Sequence, residues 1–258
     1  MRRYSRRAVS QPRATGNALP VTKQRFGNCM ARTRANDYDK KRLGILSQSA
    51  ALFAQHGFTG TSITMIAEAC GVSKALMYHY YRSKDDVLFD LLADHLNHLI
   101  AKVDAAAAGS NGKERLFAIS IALLEAYRGA DAEHQVQISS LKLLPQAQQS
   151  VLKELERKLV VVFSDAIAAA LPVVANKHDV LKPLTMSLFG MLNWHYLWFR
   201  DGKGMTREAY ARMAAGLVLA GAEDAIASIA SMADTSSVKR PAPKKKAEKA
   251  RPAAGRAL

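Results

Sequence analysis

Between Ile63 and Tyr80 the apolar and small side chains do not recur evenly. They sit at Ile63, then Ile66 and Ala67, then Cys70, Gly71 and Val72, then Met77 and Tyr80. That spacing predicts two short helices joined by a tight turn. Ala67 is small where the second helix must cross the first closely. Gly71 stands where the chain leaves the first helix and a positive φ is needed, which glycine adopts without steric cost. Ser73 then restarts a helix as N-cap, its hydroxyl accepting from an orphan backbone N–H. The unit is a helix-turn-helix. Upstream, Leu43, Leu46, Ala50 and Phe53, flanked by Ile45 and Leu52, form one face of a helix over Asp39 to His56. Gly57 ends it, and Thr61 or Ser62 caps the next. Downstream, Ser83 with Asp86 three residues on is a variant capping box. It opens a long helix through Val87, Leu88, Leu91, Leu92, His95, Leu96 and Leu99 to about Ala107.

The same periodicity continues to the end of the apolar part of the chain. Helices are expected at about Lys113 to Arg128, Asp131 to Leu144 (stopped by Pro145), Gln146 to Leu171 (stopped by Pro172), Lys182 to Arg200 and Thr206 to Ala233. No stretch alternates with period two over a useful length, so the fold class is all-α. The organisation read from these elements is a basic arm over 1–36, a three-helix helix-turn-helix domain over 37–84, a helical domain over 85–233 and a Lys/Pro/Ala tail over 234–258. Gly109-Ser110-Asn111-Gly112-Lys113 is not a phosphate loop, because its glycines are too close, Glu114 replaces the Ser or Thr, and no strand precedes it.

Charge sharpens this division. The 258 residues carry a net charge of +15. Residues 1–42 hold 12 basic and 2 acidic side chains (+10), residues 235–258 hold 8 and 1 (+7), and the middle holds 17 and 19 (−2). The basicity therefore lives in the two ends, whose composition argues for disorder. Residues 1–29 are either an upstream extension, with Met30 the working start, or a basic arm able to track phosphates. The C-terminal tail either adds sequence-independent phosphate affinity or is an inert solubilising segment. Half the residues, 49%, are hydrophobic, enough for a sizeable core. Two cysteines, Cys29 and Cys70, give no disulfide framework and suit a reducing cytoplasm. The Arg-rich start has no apolar run behind it, and Leu159 to Ala175 is too short and interrupted for a membrane span.

On the second short helix, Ser73, Lys74, Ala75, Tyr78 and His79 point outward. Lys and Ser reach base edges or phosphates, and Tyr spans to a phosphate. Tyr80 is expected in the core and Tyr81 partly so. With the flanking RLGILSQSAALFAQHGFTGTSI and YRSKDDVLFDLL, the stretch TSITMIAEACGVSKALMYHYYRSK resembles the DNA-binding domain of the TetR/AcrR family of bacterial transcriptional regulators, closely over about Asp39 to Leu92. Matched residue by residue, the resemblance puts the DNA contacts on Ser62, Thr64, Ser73, Lys74, Ala75, Tyr78, His79 and Lys84. Ala75 offers a thymine methyl a partner but no hydrogen bond. Lys84 lies where the helix dipole disfavours a cation, which a nearby phosphate would relieve.

Two later helices carry a second role. LFGMLNWHYLWFR, residues 188–200, places Trp194 and Trp198 one turn apart, with Asn193 beside them and Arg200 at the end. The helix after it is rich in Ala and Gly, at Ala214, Ala215, Gly216, Ala220, Gly221 and Ala222. The pair is similar to the last two helices of the family, which form a four-helix bundle with those of a second subunit. The aromatic stripe is then either dimer or core packing, or the border of a pocket formed by Asn193, Trp194, Trp198 and Arg200. NWxxxWFR is similar to a branch of the family whose members answer to acyl-CoA thioesters. His95 and His98 share a face, but without matching ligands they do not make a metal site.

These readings lead to a cytoplasmic, homodimeric, ligand-responsive transcriptional repressor. Its expected partners are a double-stranded operator and a small effector such as an acyl-CoA or organic acid, with no cofactor, no metal and no membrane. The alternative is a basic architectural DNA-binding protein dominated by its tails. No nucleophile–base pair, metal cluster or cofactor loop points to an enzyme.

Overall fold

A computed structural model describes the backbone of residues 24–237 and the side chains of residues 37–229. It contains ten α-helices among the described residues. Those of the N-terminal part are α1 (Gln24–Gly60), α2 (Ile63–Ala69), α3 (Lys74–Tyr80) and α4 (Lys84–Ala107). They are followed by α5 (Gly112–Ala126), α6 (Asp131–Ser140), α7 (Gln146–Ala170), α8 (His178–Asn193), the short α9 (His195–Trp198) and α10 (Arg207–Ser237). Single 3-10 turns at Leu141–Leu143 and Pro172–Val174 flank α7. The expected all-α class is what the chain adopts. The chain divides after Ile45 into two units. In the first, the described backbone is the helical stretch from Gln24. The remainder of the basic arm and the tail beyond Ser237 lie outside the described residues.

In the second unit, the buried face of α1 comprises Leu46, Ser49, Ala50 and Phe53. Ile45, at the end of the first unit, is also buried, whereas Leu43 is 49% exposed. Leu46, Ala50 and Phe53 keep the expected face, and Ile45 replaces Leu43 on it, because Ile45 shares the i, i+4 spacing with Ser49 and Phe53. Gly57 ends the long part of the helix as expected. It forms a kink at φ 71, ψ 163, beyond which the chain runs on to Gly60. The corner is held by buried Thr61, whose hydroxyl donates to the carbonyls of Gly57 (2.8 Å) and Leu52 (3.2 Å).

The long α4 follows the expected stripe. Val87, Leu88, Leu91, Leu92, His95, Leu96, Leu99 and Val103 are all buried, and α4 packs on α5 and α7. In turn α5 packs on α7 and α10, and α10 on α8. The single helix expected over Lys182 to Arg200 is a correction. Helix α8 begins earlier, at His178, and tolerates Pro183 in its second turn; it then stops at Asn193, and α9 follows after Trp194. Beyond the break His195 and Phe199 are buried, and Trp194, Leu197 and Trp198 are exposed. Residues 192, 195 and 199 are spaced i, i+3 and i+7, so this sorting keeps the helical period across the break. No described helix is long and apolar enough to cross a membrane.

Candidate functional site

The reading head is built from capped ends. Ser62 and Ser73 are in extended backbone conformation, and their hydroxyls accept from the N–H groups of Met65 (3.2 Å) and Leu76 (3.1 Å). Between them, α2 closes with paired bonds, Val72 N–H to the Ala67 carbonyl and Gly71 N–H to the Glu68 carbonyl, both 3.0 Å. This is a Schellman ending, and it requires Gly71 in the left-handed region, where its φ is 63. Ile66, Ala67 and Met77 are buried where α2 meets α3. With that side committed, Ser73, Lys74, Ala75, Tyr78 and His79 are all exposed, Tyr78 at 48%. Ser62 and Thr64 are exposed beside them. The Lys74 ammonium lies 6.0 Å from the centre of the Tyr78 ring.

Two expectations about the rim of the head are corrected. Tyr81, not Tyr80, is the buried aromatic, and its hydroxyl donates to Asp90 at 2.6 Å; Tyr80 is half-buried. The cause is that α3 ends at Tyr80, so extended Tyr81 turns back over α4. Lys84 does not point freely outward. Its ammonium donates to the carbonyls of Phe58 (2.6 Å) and Thr61 (2.8 Å) and sits 4.3 Å from the centre of the Phe58 ring. Two orphan carbonyls past the Gly57 kink thus supply the negative charge that the sequence assigned to a phosphate. Ser83 caps α4 as expected, accepting from the Asp86 N–H at 3.1 Å.

The second site lies in the helical domain. A cavity of about 190 Å³ opens among α4, the end of α5, α6, α7 and α8. Leu99, Leu159, Val160, Met186 and Phe189 form its apolar wall, and Tyr127, Gln137, Glu156 and Asn193 its polar wall. The Tyr127 hydroxyl donates to Asn193 Oδ1 at 2.9 Å, and Gln137 Nε2 donates to Glu156 Oε1 at 3.0 Å. Burial, and secondarily the Glu156 charge, push the Tyr127 phenol well above its ordinary range, so it stays a neutral donor. Of the four residues expected to border a pocket, only Asn193 does. Trp194 (52%) and Trp198 (56%) are exposed, and Arg200 is exposed with Nη1 donating to the carbonyl of Phe199. Trp194 and Trp198 lie off the face of Asn193 by helical period, and the break after Asn193 takes Arg200, seven residues on, off that face as well.

Around Tyr127 the domain buries three histidines that the sequence reading did not bring together. His134 lies 4.1 Å from its ring centre with the rings tilted by 43°, and His95 and His195 lie 6.2 and 6.3 Å away. His134 Nε2 donates to the Asn193 carbonyl at 3.0 Å. His195 Nε2 receives Arg207 Nη1 at 2.6 Å, because a guanidinium only donates. Arg207 in turn holds Asp201 through two of its nitrogens, at 3.1 and 2.9 Å. Burial lowers all three imidazoles, His95 to about 3 and His195 to about 4, the latter helped by the Arg207 charge. All three are neutral near pH 7. No group of potential metal ligands occurs among the described residues, and His98 is exposed. Glu156 carried a legible signal: with Leu152, Leu159 and Phe163 it forms a helical stripe, and a carboxylate in a buried stripe is unusual.

Comparison with known proteins finds relatives for both parts of the chain. Residues 45–91 fit the family model described as bacterial regulatory proteins, tetR family, and residues 109–222 fit the tetracyclin repressor-like C-terminal domain. The chain is 24% identical over 190 residues to the HTH-type transcriptional repressor KstR2 of Mycobacterium tuberculosis, spanning 72% of this chain and 95% of that one. The fold of AibR, solved in complex with isovaleryl coenzyme A and operator DNA, superposes with a TM-score of 0.61 at 24% identity, over 69% of this chain and 97% of that one. A TetR-family transcriptional regulator from Bordetella parapertussis 12822 is 34% identical with a TM-score of 0.65, covering 69% of this chain and 93% of that structure. With that identity over nearly the whole of a solved relative, and with both halves matched, the chain belongs to the TetR family of bacterial transcriptional regulators.

Proposed function

We propose that this regulator acts as a homodimeric repressor in the cytoplasm, released from a near-palindromic operator by a small apolar ligand in the helical-domain cavity. The observation that carries the DNA half is the exposed face of α3, with Ser73, Lys74, Ala75, Tyr78 and His79 presented together on a helix fixed by a serine cap and a glycine turn. Such a helix enters the major groove, and two copies read half-sites about 34 Å or more apart. Ser62 and Thr64 lie at the start of α2, placed for phosphates. Lys84 serves the corner and is assigned a positioning part, not a contact.

Dimerisation through α8 and α10 is supported by what their outer faces carry. Met186, Trp194, Leu197, Trp198, Met213 and Leu217 are exposed. Gly190, Gly216 and Gly221 have no atom within 4 Å of where a Cβ would stand, so nothing within this protomer requires glycine there. Each costs a helix about 1 kcal/mol against Ala, and close approach of a second subunit's helices accounts for that cost. By contrast Ala211, Ala214, Ala215 and Ala222 are buried within the protomer itself. The Trp194 and Trp198 stripe is therefore read as interface.

A ligand releases DNA only through different affinity for the two conformers. Helix α6 joins the sites: Gln137 lines the cavity, and Gln135 Nε2 reaches the Ala54 carbonyl of α1 at 3.4 Å. An acyl-CoA effector is the second reading, favoured by the isovaleryl coenzyme A bound to AibR; here only Asn193 of the residues first tied to it faces the cavity. The architectural alternative rests on the two basic ends. Footprinting on the promoter DNA flanking the reading frame, with the full chain and with Lys74→Ala and Tyr78→Ala, tests the proposal. Each substitution is expected to weaken the protected site by about 1–3 kcal/mol at unchanged helicity. Equal protection by both variants, lost only when the basic ends are deleted, would establish the architectural reading instead.

A further inference from the structure

The polar wall of the cavity is lopsided. Gln137 can present either its amide nitrogen or its oxygen to Glu156, and the carboxylate decides, because it accepts and does not donate. With Nε2 donating to Glu156 at 3.0 Å, Gln137 Oε1 is left buried without a hydrogen-bond partner. On the same wall, the only donor proton of Tyr127 is already given to Asn193 Oδ1 at 2.9 Å. What that wall offers the cavity is one carboxylate and the Asn193 amide group, facing five apolar side chains, with the Gln137 amide bound to the carboxylate. No described cation forms an ion pair with Glu156, since the neighbouring Arg157 is engaged with Glu154 on the outer side of α7. Arg200, the cation that a ligand carboxylate or phosphate would need, is exposed and does not line the cavity.

We infer that the cavity takes a small apolar amine: a hydrocarbon body against Leu99, Leu159, Val160 and Phe189, with an ammonium donating to Glu156. A carboxylate on the wall of a mostly apolar cavity, with no described cation paired to it, is costly to desolvate, and a ligand cation offsets that cost. A cationic donor adds a charge-assisted bond to the carboxylate, whereas an acid of the same shape sets two negative charges against each other. Size limits the body. A cavity of about 150 Å³ holds a benzene ring, so about 190 Å³ holds one ring or a short branched chain with a two-carbon arm. A coenzyme A moiety does not fit within it.

The inference rests on the reading of this cavity as the effector site, and the test separates the two. The full-length dimer is titrated by calorimetry with 2-phenylethylamine, 2-phenylethanol, 3-phenylpropionate and isovaleryl coenzyme A, and operator binding is followed with each. The amine is expected to bind at least about tenfold more tightly than the matched propionate, with the alcohol between them. In the near-isosteric Glu156→Gln protein that preference is expected to vanish while alcohol binding persists, and Val160→Trp, which fills the space, is expected to abolish binding of all three small probes. Binding of the propionate as tightly as the amine, an amine preference that survives Glu156→Gln, or no binding by any small probe would each overturn the assigned ligand class. Release of DNA by isovaleryl coenzyme A alone would overturn the class and leave the effector reading standing. Glu156-dependent amine binding that does not change operator affinity would uphold the ligand chemistry and overturn the effector role.

Discussion

The reading head and the helical domain are both made of short and long helices, yet they are held in different ways. In the head, the geometry that presents Lys74 and Tyr78 depends on neighbours within a few residues: Ser62 with Met65, Gly71 with Glu68, Val72 with Ala67, Ser73 with Leu76. In the helical domain the decisive polar bonds join residues far apart in sequence. Tyr127 reaches Asn193, Gln137 reaches Glu156, and His195 meets Arg207 across a helix break. A region fixed by local bonds keeps one shape, which suits the reading of a rigid groove. One fixed by bonds between helices changes shape when a helix moves, which suits a ligand-operated part.

The largest expected effect separates the two regions by pH. The neutral forms of His95 and His195 are the ones the fold holds, with values near 3 and 4 against about 6.5 in an unfolded chain. As pH falls below about 6.5 the unfolded state takes up these protons first, so stability drops, by up to about 1.4 kcal/mol per pH unit for each histidine. The drop ends only once the folded values are reached. Urea unfolding at pH 7, 6 and 5 should show this, with a shallower slope for His95→Leu. If that variant keeps the parent's slope, His95 is not neutral and buried in the fold.

A smaller effect is expected in the head. Ala67 is 2% exposed where α2 meets α3, and Ala67→Leu overpacks that crossing, costing about 1–3 kcal/mol. Hydrogen exchange should locate the loss in α2 and α3 while α5 and α7 keep their protection. Loss spread evenly over all helices would mean that the head is not the separately held region described above.

The smallest is a cap. Ser73→Ala removes the acceptor for the Leu76 N–H and should cost about 0.5–2 kcal/mol. Because the same residue stands on the exposed face proposed to meet DNA, Ser73→Asp tells the two parts apart. Aspartate caps as well as serine, so thermal stability should return while operator affinity stays low from repulsion by phosphate. Full operator affinity in Ser73→Asp would remove Ser73 from the contact surface.

How far each region can be read from sequence follows the same division. Caps and turn glycines act over three or four residues, so Ser62, Gly71, Ser73 and Ser83 were legible in the chain and stand where their chemistry requires. Lys84 was not, because its partners Phe58 and Thr61 lie 26 and 23 residues upstream, beyond a kink whose freed carbonyls no local pattern announces. Tyr80 and Tyr81 exchanged places for a related reason: helix α3 ends between them, and periodicity says which residues share a face only while the helix lasts.

By itself, then, the sequence determined that this protein is all-α, that two short helices cross near Ala67 and Gly71, and that Ser73, Lys74, Ala75, Tyr78 and His79 face away from the crossing. Only the tertiary structure decided where the cavity of the helical domain lies. Periodicity by itself sets Leu192, His195 and Phe199 on one face and Trp194 and Trp198 on the other. It does not announce the break after Asn193, which takes Arg200 off the face of Asn193. Nor does it announce the bonds of Tyr127 to Asn193, Gln137 to Glu156 and Arg207 to His195, because each joins different helices through residues 12 to 66 positions apart. Those bonds build the polar wall of the cavity and its surroundings.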